Sequence, residues 1–476
     1  MVFNSFEFLL FLPVVFLLYW FVFKKKLRLQ NAFIVAASYF FYGWWDWRFL
    51  VLIAFTSLCS WASGLWIGCF RQNSHQKAKA ITASNIVINL LILGIFKYYD
   101  FFVQSFADLF LHGQSDGLLL KVILPVGISF YTFQALSYSI DVYRGKIEPT
   151  KDIIAFFAYV SFFPQLVAGP IERATNLLPQ FQRKREFDYN LAADGMRQML
   201  WGFFKKMVVA DNCAVFVNTV WSDMSAHTGS TLVVAAILFA FQIYGDFSGY
   251  SDIAIGCAKL FGIKLMRNFA IPYFSRDIAE FWRRWHISLT TWFRDYLYIP
   301  LGGSRVGKWK VLRNTLIIFL VSGFWHGANW TFISWGAYHA LLFLPLILLG
   351  KNRKYTNLVA EESMFPNLKE FGQMLLTFAL VVIGWIIFRA ENIGQACQFF
   401  SAIFTQGLLQ RPQLPFCSLY IALMLIVEWL QRKNEHGLEF NKHITPWLRY
   451  PIYYALAMMC LLCTPVQSEP FIYFQF

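Results

Sequence analysis

Charge is what this sequence has least of. Only 14% of its 476 residues are Asp, Glu, Lys or Arg, where a soluble domain carries roughly a quarter. So few charges cannot cover a water-exposed surface, which excludes a soluble enzyme, a disordered chain and a fibrous protein. Internal repeats, low-complexity segments and a recognisable soluble domain are also missing. Cysteine is sparse and scattered, at positions 59, 69, 213, 257, 397, 417, 460 and 463. The CxxC at Cys460 and Cys463 lies inside the apolar stretch AMMCLLCTP with no second pair. These thiols are expected to be small buried hydrophobes rather than a metal or redox site. Three catalytic signatures are absent as well. There is no GxSxG nucleophile elbow, no GxxxxGK[ST] phosphate loop, and no HExxH or other zinc-ligand spacing.

What fills the sequence instead is apolar. Hydrophobic residues make up 58% and aromatics 20%. Apolar runs lie near 6–23, 31–43, 48–70, 81–110, 122–142, 152–169, 195–221, 231–262, 314–349, 370–390, 415–430 and 449–465. With ~20 residues needed per crossing, they predict an all-α polytopic protein of about eleven transmembrane helices, with additional re-entrant or interfacial helices. The first run is followed, not preceded, by its basic cluster at 24–28, the reverse of a signal peptide. It is read as a retained helix with its N-terminus outside and the cluster in the cytoplasm. Lys plus Arg is 41 and Asp plus Glu 27, a net charge of +14. In a membrane protein that excess fits cytoplasmic loops, and it also suits an anionic cytosolic substrate rather than nucleic acid.

One stretch, 267–313, carries too many charges for a helix facing lipid: Arg276, Asp277, Glu280, Arg283, Arg284, Arg294 and Asp295. Intramembrane ionisable groups face a protein interior or a water-filled cavity. Arg283, His286, Thr290 and Arg294 follow helical spacing and are expected on one helical face, with Trp282, Trp285, Leu289 and Phe293 beside it. The arginines would meet an anionic donor, or pair with Asp277, Glu280 and Asp295. Asp246, Ser248 and Asp252 form a polar stretch expected to hold a helix break or line a cavity. Of eight histidines, His75, His112, His227, His436 and His443 lie in polar contexts and are read as solvated. His286, His326 and His339 lie in or beside hydrophobic structure. His326, among the glycines and aromatics of SGFWHGANWTFISWG, suits a general base, since a neutral imidazole takes and returns protons near neutral pH. With no protein nucleophile of the usual kind nearby, transfer to an external hydroxyl is favoured over hydrolysis.

The segments FWRRWHISLTTWFRDYLYIPLGG and GFWHGANWTFISWG together resemble the signature of the membrane-bound O-acyltransferase family. The similarity is to its bacterial branch of alginate O-acetylation and teichoic-acid D-alanylation membrane subunits. Further stretches at 40–49, 124–145, 162–173 and 244–256 resemble that branch in the same order, covering most of the chain as one acyltransferase domain, 1–476.

The resemblance implies that His326 and His286 are catalytic. It implies that Arg283, Arg284, Thr290, Arg294, Trp325 and Asn329 contact substrate around a central funnel or tunnel, with no metal and no bound cofactor. The donor would be a cytoplasmic acyl thioester, acetyl-coenzyme A or an acyl carrier protein. The acceptor would be an extracytoplasmic glycopolymer, reached with an SGNH-hydrolase-like partner, and the location a bacterial inner membrane. Residues 468–476, SEPFIYFQF, are similar to the C-terminal tyrosine motif of the small membrane partner of D-alanylation systems, which implies Tyr473 as an acyl relay. By composition alone the same tail is a hydrophobic segment that packs into the bundle. Acetyl transfer is the leading expectation. D-alanyl transfer, a transporter and a scaffold of a polymer-export complex are the alternatives.

Overall fold

The computed structural model describes residues 1–111, 117–167, 169–440, 445–465 and 471–472. The described residues form helices and no strands. Five helical segments are long and apolar enough to cross a membrane: Phe49–Phe70, His75–Phe110, Gly229–Leu260, Trp330–Leu348 and Leu368–Arg389. Phe6–Val22 and Cys417–Leu430 are shorter apolar helices. Large apolar side chains such as Leu341, Leu376 and Phe404 stand exposed. A surface of that kind is stable against hydrocarbon and not against water. Of the cysteines, Cys213, Cys257, Cys417 and Cys460 are buried as expected, but Cys69 and Cys397 are exposed.

By contact density the chain divides into two compact units. The first comprises 1–196 and 254–266. Its interior holds Ile128–Tyr143, nearly all of whose side chains are buried. Phe49–Phe70 approaches that helix closely at Gly64, where a Cβ would lie 2.4 Å from the Tyr138 ring. Buried polar side chains pair across helices, Asn85 donating to Ser139 Oγ at 2.7 Å. Arg185 reaches Asn31 Oδ1 at 2.5 Å and Gln30 Oε1 at 3.1 Å. Each such bond satisfies a group that could not remain bare in an apolar interior.

The second unit comprises 197–253 and 267–476. Most of the helix Gly229–Leu260 belongs to it, and that helix runs for 32 residues without interruption. The break expected around Asp246 to Asp252 is therefore absent. Those carboxylates are accommodated by cations instead: Lys205 pairs with Asp252 at 2.6 Å, and Lys206 bridges Asp211 and Asp246, each at 2.8 Å. A charge neutralised at contact distance does not force the backbone open to reach water. The two strands of helix that carry these groups meet at glycine: a Cβ on Gly249 would lie 2.7 Å from the Gly202 carbonyl oxygen.

The apolar run 314–349 resolves into two helices, Lys308–His326 and Trp330–Leu348, joined by a three-residue turn. They pack through Gly323 and Gly336. A Cβ on Gly323 would sit 2.2 Å from the Phe332 carbonyl oxygen, and one on Gly336 2.3 Å from that of Phe319. Gly323→Ala is therefore expected to destabilise the protein by about 1–3 kcal/mol through overpacking. Gly372→Ala, on an open helix surface with no atom within 4 Å, is expected to be neutral or slightly stabilising. Thermal midpoints of the two purified variants in detergent check this; equal midpoints would contradict it.

Candidate active site

The charged stretch 267–298 is not one helix. Asp277 caps a short helix, Ile278–Arg284, by accepting from Glu280 N–H at 2.7 Å. The chain then extends at Trp285, turns left-handed at His286 (φ 43°), and starts again as Ile287–Phe293. The expected single face through Arg283, His286, Thr290 and Arg294 is corrected accordingly. The cause is visible in the backbone. Ile287 N–H donates to Asn268 O at 2.8 Å, and Ala270 N–H to Arg284 O at 3.0 Å. These bonds tie the turn to the strand of chain preceding the helix, in place of the intrahelical bonds that would have continued it. A left-handed conformation at a residue other than glycine is uncommon and costs on the order of 1–3 kcal/mol, and such conformations cluster at functional sites.

The charges of the stretch sort themselves. Glu280 is buried between Arg276, at 3.0 Å, and Arg284, at 2.8 Å. Arg276 also reaches Glu370 at 3.1 Å. Arg294 pairs with Asp295 at 2.7 Å. Arg283 differs, donating to the backbone carbonyls of Asn352, at 2.9 Å, and Tyr355, at 2.5 Å.

The second unit holds a cavity of about 520 Å³, within the range of small-molecule sites. His286, His326, Arg283, Thr290 and Arg294 all line it. The helical-face argument thus had the wrong backbone, and its four residues still converge. His326 is the last residue of Lys308–His326, buried and ringed by Trp325, Trp335 and Phe388 at centroid distances of 5.0, 5.1 and 5.4 Å. His286 meets Phe247 edge-on at 4.6 Å. Burial pushes its pKa down to about 3, so the imidazole is neutral at physiological pH. Its Nδ1 lies 3.1 Å from Asn268 Oδ1.

Three of the expected substrate contacts are placed otherwise. Trp325 is buried and meets both imidazoles, His286 at 5.9 Å and His326 at 5.0 Å, without lining the cavity. Asn329 caps Trp330–Leu348, accepting from Thr331 N–H at 3.0 Å and donating to Glu391 O at 2.7 Å. Arg284 is held by Glu280 and the carbonyls of Ala270 and Asn357, outside the cavity lining. Tyr473 lies outside the described residues, as do His112 and His443. The two residues before Tyr473, Phe471 and Ile472, are buried. His339 is fully buried among Trp282 and Trp335, away from the cavity lining. His436, expected in solvent, is buried, with its Nδ1 accepting from Leu438 N–H at 3.2 Å.

Residues that the sequence did not single out also contribute. Arg353 and Tyr298 line the cavity beside Arg283 and Arg294. Asn268 and Ser288 hold His286. Asn268 lies in RNFAIP, with no periodicity to mark it.

These features define an all-helical membrane protein with two buried imidazoles lining one cavity. The profile of MBOAT, the membrane-bound O-acyltransferase family, matches residues 32–375. The chain belongs to this family and is an O-acyltransferase. It is 41% identical over 416 residues to a probable alginate O-acetylase of Pseudomonas aeruginosa, covering 87% of this chain and 77% of the relative. It is 36% identical over 414 residues to a peptidoglycan O-acetyltransferase of Helicobacter pylori, covering 81% and 76%. It is 32% identical over 289 residues to a teichoic acid D-alanyltransferase of Streptococcus thermophilus, covering 55% and 68%.

Proposed function

We propose that this protein moves an acetyl group from a cytoplasmic thioester through the inner membrane for O-acetylation of an extracytoplasmic glycopolymer. The observation that carries the reading is the shared cavity of His286 and His326 in a chain of this family. Acetyl is favoured over D-alanyl because the two O-acetylating relatives match over 87% and 81% of this chain and the D-alanyltransferase over 55%.

In the proposed step His326 takes the proton of an accepting hydroxyl as its oxygen bonds to the thioester carbonyl carbon. The C–S bond breaks, and the departing thiolate takes the proton back from the imidazolium. His286 positions one of the two reactants. Arg283 and Arg294, with Thr290 between them on the cavity wall, face the donor's anionic groups. A neutral imidazole suits this task because it both accepts and returns the proton without a metal. About eleven crossings around a funnel would bring the donor and acceptor sides to this point. An SGNH-hydrolase-like partner outside the membrane would complete transfer to the sugar.

Tyr473 is proposed as the relay that carries the acyl group as an aryl ester. Phe471 and Ile472, the two residues before it, support this: both are buried, and Phe471 packs on Phe247, whose ring also meets His286. A tyrosyl oxygen becomes a competent nucleophile when a histidine removes its proton.

The test uses the full chain in nanodiscs with radiolabelled acetyl-coenzyme A and, separately, a labelled D-alanyl carrier protein. Thioester loss with acetyl and not with D-alanyl is expected, with label on a C-terminal peptide. Tyr473→Phe is expected to abolish that label. Turnover with no labelled peptide would remove the relay and leave the transferase. Turnover with D-alanyl alone would replace the acyl group. The absence of turnover with both donors, in membranes that also contain acceptor polymer and partner, would overturn the reading.

A further inference from the structure

We propose that Asn268 is a positioning residue that holds His286, a residue of the cavity wall, in the tautomer protonated on Nδ1, which makes Nε2 the ring's acceptor atom. The proposal rests on the cavity being the acyl-transfer site, and it concerns a residue outside the cavity lining.

The argument is one of donors and acceptors. An Asn side chain offers an oxygen that only accepts and a nitrogen that only donates. Which atom lies where must be settled by the surrounding network. Here the backbone settles it. Asn268 Oδ1 lies 3.3 Å from Ser288 N–H and 2.9 Å from Ser288 Oγ, and Nδ2 lies 3.1 Å from Ser251 Oγ. A reversed amide would set its NH₂ against the Ser288 N–H, two donors facing each other. The oxygen is therefore on the His286 side, where it lies 3.1 Å from Nδ1. An atom that only accepts requires Nδ1 to carry the proton. A neutral imidazole has one donor nitrogen and one acceptor nitrogen, so Nε2 is the acceptor. Ser288 Oγ, 3.4 Å from Nδ1, gives its proton to the same oxygen and does not alter the assignment.

The group is rigid as well as polarised. Asn268 and Ser288 are fully buried, and Ser251 and His286 nearly so. The Asn268 main-chain oxygen accepts from Ile287 N–H at 2.8 Å. One residue thus fixes both the left-handed turn that presents His286 and the tautomer it presents. A purely structural turn would need the main-chain bond alone. Three donors converging on the side-chain oxygen are what define the ring's proton. The consequence is chemical: an acceptor at Nε2 can take a hydrogen bond from a hydroxyl reactant and so orient it, whereas the other tautomer would offer a donor there.

The test is magic-angle-spinning NMR of the full chain, labelled with ¹⁵N-histidine and reconstituted in bilayers, with His286→Gln assigning the signals. The ring nitrogens report the tautomer directly, whether or not a donor is turned over. Expected in the unsubstituted protein are a protonated Nδ1 and an Nε2 that carries no proton. Asn268→Leu is expected to lose that signature and to lower kcat on the order of 10²-fold, with KM for the thioester donor changed less than about twofold. Asn268→Asp, which keeps an oxygen at the same place, is expected to retain the protonated Nδ1. A proton on Nε2 in the unsubstituted protein overturns the proposal, even if Asn268→Leu does not fold. So does an Asn268→Leu protein with unchanged tautomer and unchanged kcat. If no donor is turned over and the spectrum still shows the expected tautomer, the transfer reading falls and the assignment of Asn268 stands.

Discussion

His326→Gln is expected to lower acyl transfer on the order of 10²- to 10⁴-fold, the range typical for loss of a general acid–base group, with the protein still accumulating in the membrane. Gln keeps most of the side-chain volume. The ring enclosure of Trp325, Trp335 and Phe388 around this position therefore keeps its contacts, and the two flanking helices remain joined through Gly323 and Gly336. What the substitution removes is the proton-accepting nitrogen, at a position that faces the cavity. His326→Ala would remove both and leave a void in a tightly packed aromatic cluster, so its loss of activity would be ambiguous. The measurement is release of free thiol from acetyl thioester by equal amounts of folded protein, judged by elution from a sizing column. A His326→Gln protein with unchanged turnover would remove His326 as the general base and shift that role to His286, the other imidazole lining the cavity.

Composition made the membrane-crossing helical character legible, because a chain with 14% charge has only one solvent it can face. The ordered motifs located His286 and His326, and the two do line one cavity. The turn between them and their supports was not legible. A period of 3.6 residues predicts a straight helix through Trp285 and His286, and carries no sign of the hydrogen bonds from Asn268, 18 residues earlier, that reverse the backbone there. Lys205 and Lys206 were hidden for a related reason. They sit in an apolar run, and their partners Asp246 and Asp252 lie on another helix, so sequence showed unbalanced charges where structure shows pairs. A structural role for Asn329 was also legible. An Asn placed just before an apolar helix is an N-cap signature, and that is the role it has.

Lys206→Met is expected to destabilise the protein by about 3–5 kcal/mol, the range for breaking a buried ion pair by removing one partner. The Lys206 ammonium bridges Asp211 and Asp246, and all three side chains are almost wholly buried. Methionine fills a similar volume, so packing is kept and only the charge is lost. Two carboxylates are then left in the buried interior without the cation between them, an uncompensated charge that is costly there. The triple variant Lys206→Met, Asp211→Asn, Asp246→Asn is expected to recover much of the loss, because a neutral cluster carries no uncompensated charge. Thermal midpoints in detergent decide this; a single variant as stable as the unsubstituted protein would show that the cluster is hydrated. The effect should reach the site as well. Asp246 also accepts Ile472 N–H at 2.7 Å, and Phe471 packs on Tyr250 at 4.6 Å and on Phe247 at 6.0 Å. Phe247 in turn meets His286 at 4.6 Å. The ion cluster thereby holds Phe471 and Ile472, with Phe471 one ring away from a proposed catalytic imidazole. Loosening it is expected to lower C-terminal acyl labelling more than thioester binding, which a loss of stability alone would reduce equally.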